Sequence, residues 1–143
     1  DGEFNQLTYW MNRQIIDDYP MELVSPVDWT DESQNINDRV RSYLDVNCGH
    51  CHSPTGNANS TGLYLHLDET RNIHLGLYKK PVATGRGSGG LKYSIVPGKP
   101  DESILLHRMI SIDPGVMMPE SGRALSHTEA VDMVREWILV MED

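Results

Sequence analysis

The chain has 143 residues, of which 38% are hydrophobic and only one is phenylalanine, beside 12 glycines and 8 prolines. This length supports about one domain with a single hydrophobic core. The 12 basic and 21 acidic residues give a formal net charge of -9, which argues against nucleic acid and anionic membrane surfaces as partners. No run approaches the ~20 apolar residues of a membrane span, so we expect no membrane insertion. The start DGEFNQLTYW lacks signal-peptide features, so we expect a mature or excised chain.

The first part of the chain mixes two weak patterns. The segment FNQLTYWMNRQII indicates a short helix, and YPMELVSPVDW indicates extended backbone broken by prolines. Neither a helical nor a strand period is sustained there. We therefore expect residues 1–34 to form an N-terminal wrapping arm, and residues 35–143 to form the functional domain.

A sharper helical pattern follows the arm. Asn37 is placed to cap a helix that carries Val40, Leu44 and Val46 near one side. This helix is predicted to end where the two cysteines of the chain begin. After them, SPTGNANSTG and TGRGSGG have the composition of loops, and GLYLHLD alternates like a short strand.

Two helices are predicted in the C-terminal third. Asp101 can cap the first, DESILLHRMI, and the run DPGVMMPESG that follows has too many prolines and glycines for regular structure. Ser126 and Glu129 match the capping box of the last helix. Apolar residues recur in that helix at spacings of three and four, so one face should pack on the core; they are Ala130, Val134, Trp137, Ile138 and Met141.

Both cysteines lie in the pentapeptide Cys48-Gly49-His50-Cys51-His52. Cys-x-x-Cys-His is the attachment signature of c-type haem. Its two thiols add to the vinyl groups of the porphyrin, and the adjacent imidazole supplies the proximal iron ligand. The sequence therefore predicts one covalent haem c held by Cys48, Cys51 and His52.

Two other interpretations of this motif are open. A thioredoxin-like redox pair requires a helix that begins at the first cysteine, whereas here a helix is predicted to end. A tetrahedral zinc site could use the same three residues with His50 or a remote ligand. Structural zinc sites usually have a second ligand pair at matched spacing, and the sequence contains none.

The distal side of the iron needs a ligand from elsewhere, and Met118 in GVMMPESG is the predicted one. Pro119 fixes the backbone after it and disfavours helix at that position. Met117 is the near alternative, and His66 or His74 could complete a bis-histidine haem. The methionines at helical spacing are assigned to the core; they are Met109, Met133 and Met141.

A haem would also take over the core filling that aromatic residues usually provide. We expect its walls to include Leu44, Leu105, Trp137 and Ile138. We expect donors to its propionates among Tyr93, Trp29, Arg86 and Arg123.

A helix that runs into CxxCH, the Met118-Pro119 pair and an amphipathic last helix resemble class I cytochromes c over about residues 36–142. The resemblance implies an all-α fold, a small helical bundle around one haem with an N-terminal extension and long loops. More narrowly, the chain is similar to a family of bacterial secreted proteins with cytochrome-type domains. There an arginine-containing helix precedes the Met-Pro loop, as Arg108 does here, whereas the position of Met117 often carries arginine.

These features predict a monohaem c-type cytochrome, free or part of a larger oxidoreductase, that transfers single electrons and is not itself an enzyme. A haem peroxidase or a gas or redox sensor, in which Met118 dissociates, is the alternative, and a zinc-stabilised interaction domain is a third. The acidic charge favours a redox partner with a basic docking patch. Since haem attachment requires available thiols outside the cytoplasm, we expect a periplasmic or extracellular protein, and the resemblance implies a bacterial one.

Overall fold

The computed structural model describes residues 5–20 and 25–142. Within these ranges the regular structure is helical, and no strand forms beyond isolated bridges between Leu77 and Ile95 and between Tyr93 and Ser103. The α-helices are α1 (Gln6–Asn12), α2 (Ile36–Leu44), α3 (Asn72–Leu75), α4 (Ile104–Ile110) and α5 (Thr128–Leu139). The predicted all-α class is therefore confirmed, and a cytochrome-like bundle around a haem remains a prediction. In the described ranges no helix is long and apolar enough to cross a membrane.

Helix α2 leads into the cysteine motif as predicted, but its cap lies earlier than expected. The side chain of Asn35, not Asn37, accepts the hydrogen bond that caps the helix, from the N–H of Asn37. Asn37 instead accepts a hydrogen bond from the indole N–H of Trp137, which ties α2 to α5. Val46 is 66% exposed rather than inward, because the chain continues after α2 in a π turn, Asp45–Gly49, whose extra residue rotates it off the buried face.

The core lies where α2 and α4 pack against α5. The predicted stripe on α5 is confirmed at Ala130, Val134, Trp137 and Ile138, which are buried, while Met141 is half-buried. Val40 and Leu44 of α2 join this cluster. The helices are thus held by one apolar core, as the length and periodicity indicate.

The segment GLYLHLD is not a strand, contrary to the prediction. Its backbone groups pair with side chains of α2 and the turn after it. Nη2 of Arg41 donates to the carbonyls of His66, Leu67 and Glu69, and the N–H of Leu67 donates to Asp45. Because these groups are already satisfied, no neighbouring strand is required.

Both predicted caps in the C-terminal third were wrong. Asp101 lies in a 3-10 turn before α4 and forms an ion pair with Arg135 at 2.6 Å. Ser126 makes no capping bond, because its hydroxyl donates to the Met109 carbonyl at the end of α4. Helix α5 starts later, after His127.

The N-terminal segment contains the predicted short helix, α1, capped by Asn5. Residues 21–24 of the extended run that we predicted, and Phe4 before α1, lie outside the described residues. Farther along, Trp29 packs against the core, and its carbonyl accepts a hydrogen bond from Arg39 of α2. This part of the chain therefore lies along α2.

Candidate functional site

A cavity of about 800 Å³ lies between the segment that follows α2 and the side of α4 that carries Ile104, Leu105 and Arg108. Cys48, Cys51, His52 and Met118 all line it. Ligand-binding cavities in proteins are typically ~300–1,000 Å³. The four residues that the sequence nominates for cofactor binding are thus brought together around one space.

The backbone of the cysteine motif is fixed from both sides. The N–H groups of Cys51 and His52 donate to the Cys48 carbonyl at 3.1 and 2.8 Å. The carbonyl of Cys51 accepts from Ala58, and that of His52 accepts from Leu65. The following loop therefore folds back and holds the pentapeptide at the cavity wall.

The two thiols are free and do not form a disulfide. Burial, and secondarily the neighbouring Cys51, raises the pKa of Cys48 to about 12. Reactive pairs of the thioredoxin type have the opposite property, a lowered thiol pKa at the start of a helix. The environment of Cys48 therefore does not favour a thiol–disulfide oxidoreductase.

His52 is buried enough that desolvation lowers its pKa, and the carbonyl of Leu63 acts in the opposite direction. Its Nδ1 is buried without a hydrogen bond of normal geometry. The backbone group beside this ring thus comes from Leu63, eleven residues farther along the chain, and not from the loop immediately after the motif. The neutral imidazole that results is the form that ligates metals.

The structure separates the two candidate methionines. Met118 lines the cavity and Met117 does not. The N–H of Met118 donates to the Arg108 carbonyl at 3.0 Å, while that of Met117 donates to Asp113 at 2.8 Å. The loop is thus anchored to α4 so that only the second methionine faces the cavity.

Two arginines pin this loop and also line the cavity. Nε of Arg108 donates to the Val116 carbonyl at 2.8 Å. Arg123 donates to the carbonyls of Met109, Arg108 and Ser111 around the end of α4. Burial lowers the pKa of Arg108, and no carboxylate pairs with it in the described parts of the chain.

The expected propionate donors are only partly at the cavity. Arg123 lines it, but Tyr93 and Trp29 do not, and Arg86 pairs with Asp113 on the surface at 2.9 Å. Sequence reasoning missed Arg108 as a donor. A helical wheel could have found it, because it lies four residues after Ile104 on the face of α4 that lines the cavity.

The residues that line the cavity are only partly those expected to surround the haem. Leu105 lines the cavity, whereas Leu44, Trp137 and Ile138 belong to the core away from it. The apolar side chains that do line it include Leu63, Leu65, Ile104, Met109 and Val131. The wall is therefore built mainly from the middle segment and α4, not from the last helix.

Besides His52, the histidines that line the cavity are His50 and His127. His66 and His74 do not line the cavity, and His74 instead pairs with Glu69 at 3.1 Å. His127 does line it, with its Nδ1 3.0 Å from the Tyr43 hydroxyl. Burial raises the pKa of Tyr43, so this hydroxyl stays protonated at neutral pH.

The zinc interpretation requires several ligands that converge. Across residues 5–20 and 25–142, no group of three or more His, Cys, Asp or Glu side chains is arranged to hold a metal ion. This finding concerns sites of three or more such side chains, and a pair of one histidine and one methionine is not a site of that kind.

No family model matches the chain, and neither curated proteins nor solved structures gave a significant match. The assignment of function therefore depends on the cavity and the side chains that line it.

Proposed function

We propose that the chain is a monohaem c-type cytochrome that transfers single electrons between redox partners outside the cytoplasm of a bacterium. The observation that carries the proposal is that Cys48, Cys51, His52 and Met118, which come from two distant parts of the sequence, line one cavity.

The cavity suits a haem in size and in chemistry. Its volume of about 800 Å³ lies within the ~300–1,000 Å³ range of small-molecule sites, and its apolar wall can cover a flat ring. The guanidinium groups of Arg108 and Arg123 supply positive charge for two carboxylates. If a haem c were bound there, His52 and Met118 would hold its iron, and the group would supply one-electron redox chemistry at a raised potential.

Each of the four proposed cofactor-binding residues has a defined role. Cys48 and Cys51 would each hold the group through a thioether, which an S–H forms by addition across one vinyl group with no atom lost. His52 presents a neutral imidazole from a backbone that is hydrogen-bonded on both sides. Met118 presents its sulfur from a loop that Arg108 and Arg123 hold against α4.

The proposal is tested by the pigment of protein exported to a bacterial periplasm with the haem-attachment machinery present. We expect a red protein whose mass exceeds that of the polypeptide by one haem and whose cysteines do not react with a thiol reagent. Cys48→Ala should keep colour with a shifted pyridine haemochrome band, because one vinyl group stays unsaturated. Cys48→Ala with Cys51→Ala should fail to accumulate as folded protein.

A colourless wild-type protein with two reactive thiols would overturn the proposal. So would a double cysteine variant that folds as stably as the wild type without haem, because the cofactor would then contribute nothing to the core.

One observation favours the alternative, a haem peroxidase or a gas or redox sensor. The hydrogen-bonded pair Tyr43 and His127 lines the same cavity and could exchange a proton with a ligand that displaces Met118. Rapid uptake of cyanide or peroxide by the ferric protein would favour this alternative, and slow uptake would favour electron transfer.

A further inference from the structure

The glycine-rich segment TGRGSGG, residues 84–90, packs against α4 beside the cavity. It contains a 3-10 turn, Gly85–Ser88, which contacts this helix. A Cβ added at Gly89 would lie 2.7 Å from Cε1 and 2.9 Å from Cδ2 of His107. The backbone of the segment therefore lies directly against the His107 ring, where a side chain has no room.

The same turn covers Arg108, one of the two arginines that pin the methionine loop, residues 113–118. Gly87 is buried, and a Cβ at this position would lie 3.3 Å from Cζ and 3.4 Å from Nε of Arg108. The Nε of Arg108 also donates to the Val116 carbonyl at 2.8 Å. Arg108 therefore contacts both the glycine-rich turn and the methionine loop.

Arg86 joins the turn to the methionine loop directly. Its Nη1 donates to Oδ2 of Asp113 at 2.9 Å, and its Nη2 donates to Oδ1 at 3.0 Å. The side chain reaches Asp113 across Gly115, where a Cβ would lie 2.7 Å from Cζ of Arg86. Two parallel hydrogen bonds between an arginine and a carboxylate fix the orientation of the two groups as well as their distance.

Asp113 organises the backbone that leads to Met118. Its Oδ1 also accepts a hydrogen bond from the Gly115 N–H at 2.8 Å. Its carbonyl accepts from the N–H groups of Val116 and Met117, both at 2.8 Å. The residue that Arg86 holds is therefore the one around which the methionine loop turns.

The ion pair lies outside the cavity and links two segments of its edge. Thr84, just before the turn, lines the cavity, and so does Pro114 of the methionine loop. Arg86 and Asp113 do not line it, and their side chains are 69% and 46% exposed. The pair therefore acts on the cavity through the two segments that it joins.

We propose that Arg86 and Asp113 are a positioning pair, whose ion pair ties the glycine-rich turn to the methionine loop and keeps Met118 at the cavity. The proposal rests on the proposed function, in which Met118 is an iron ligand. Loss of the pair should leave the fold intact, because an exposed ion pair contributes little to global stability. It should instead raise the fraction of molecules in which the loop is locally open, since weakly buried segments open independently of the core.

The structure offers a matched control elsewhere on its surface. Arg135 of α5 pairs with Asp101 at 2.6 Å, and their side chains are 37% and 83% exposed. Neither residue lines the cavity. Arg135→Gln therefore removes an exposed arginine–aspartate pair, with the same change of charge as Arg86→Gln, without touching the methionine loop.

The test is amide hydrogen exchange, followed by NMR in isotopically labelled wild type, Arg86→Gln, Arg86→Lys and Arg135→Gln. Arg86→Gln should speed exchange at Met117 and Met118 by about threefold. Arg86→Lys keeps the charge without the forked geometry and should give a smaller increase. Arg135→Gln should leave these two amides unchanged, and urea denaturation should give all four proteins the same midpoint.

The iron gives a second readout in the pigmented proteins. Ferric Arg86→Gln should keep the sulfur-to-iron charge-transfer band but take up cyanide about threefold faster than wild type, because uptake requires the open loop. High salt should bring wild type close to Arg86→Gln, since it screens exposed charges. Equal uptake rates in Arg86→Gln and Arg135→Gln would overturn the proposal.

Unchanged exchange at Met117 and Met118 in Arg86→Gln would also overturn it. So would faster exchange over the whole chain with a lower urea midpoint, because the pair would then stabilise the fold in general. The colour of the sample separates this test from that of the function. A red protein with unchanged exchange removes the positioning pair, whereas a colourless one with faster exchange confined to the loop keeps the pair and removes the electron-transfer function.

Discussion

At the scale of single residues, the position of Gly56 shows how tightly the cysteine motif is enclosed. A Cβ at this position would lie 2.7 Å from the carbonyl carbon of Cys51 and 2.8 Å from the carbonyl oxygen of His50. Both are backbone atoms, which cannot rotate away as a flexible side chain does. The loop after the motif therefore passes so close to it that only glycine fits.

We predict that Gly56→Ala lowers the free energy of unfolding by about 1–3 kcal/mol, the usual cost of forcing extra volume into a packed site. Urea denaturation of the purified protein measures it. Gly115→Ala is the matched control, because its new Cβ would meet the Arg86 side chain, 2.7 Å from Cζ, which is exposed and can move. Equal losses in the two variants would contradict the close-packed geometry around Cys51.

The roles of single residues could be predicted from the sequence where the motif is formed by consecutive residues. The cysteine and histidine spacing is one, since five consecutive residues carry it. The choice between Asn35 and Asn37 as the cap of α2 was not, because both positions carry a suitable residue type. Asn35 rather than Asn37 caps the helix because the Asn37 side chain accepts a hydrogen bond from Trp137, which is distant in the sequence.

At the scale of elements, the short helix α3 depends on a buried carboxylate. The Glu69 side chain is 3% exposed. It accepts hydrogen bonds from the N–H groups of Thr70 and Arg71 and pairs with the side chains of Arg71 and His74. The hydrogen bonds from Arg71 hold the pKa of Glu69 well below its usual range, although burial acts to raise it.

This geometry predicts a pH-dependent stability. A carboxylate with a lowered pKa in the folded state stabilises that state above its unfolded pKa of ~4.3, and the contribution is lost as the pH falls below that value. Glu69→Gln should therefore destabilise the protein by about 1–3 kcal/mol at pH 7, and the difference from wild type should shrink by pH 3.

Urea denaturation at the two pH values measures the effect. Glu102→Gln, which removes an exposed carboxylate paired with Lys99, should change stability little at either pH. A difference between Glu69→Gln and wild type that stays constant from pH 7 to pH 3 would show that the charge of Glu69 is not the stabilising feature.

Helices were predicted better than the segments between them, for a physical reason. In α2 and α5 the spacing of apolar residues shows which face of the helix is buried, so both helices could be predicted from the sequence. The alternation in GLYLHLD also has a local cause, but the backbone of that segment pairs with Arg41 and Asp45. A contact between side chain and backbone across more than twenty residues leaves no periodic signal.

At the scale of the whole molecule, the helical class was predictable and the cavity was not. Its walls combine Leu63, Leu105 and Val131, which lie on three separate segments whose convergence depends on packing. The charge shows a related limit. The total of -9 does not show that residues 79–99 carry all four lysines and no acidic residue.

The most direct test of the central claim is the ferric optical spectrum of three pigmented proteins: wild type, Met118→Ala and Met117→Ala. Since Met118 lines the cavity and Met117 does not, we predict a sulfur-to-iron charge-transfer band in wild type and Met117→Ala. Met118→Ala should lose the band and have a lower reduction potential. A band that survives in Met118→Ala, or that is absent from the wild-type protein, would contradict the account.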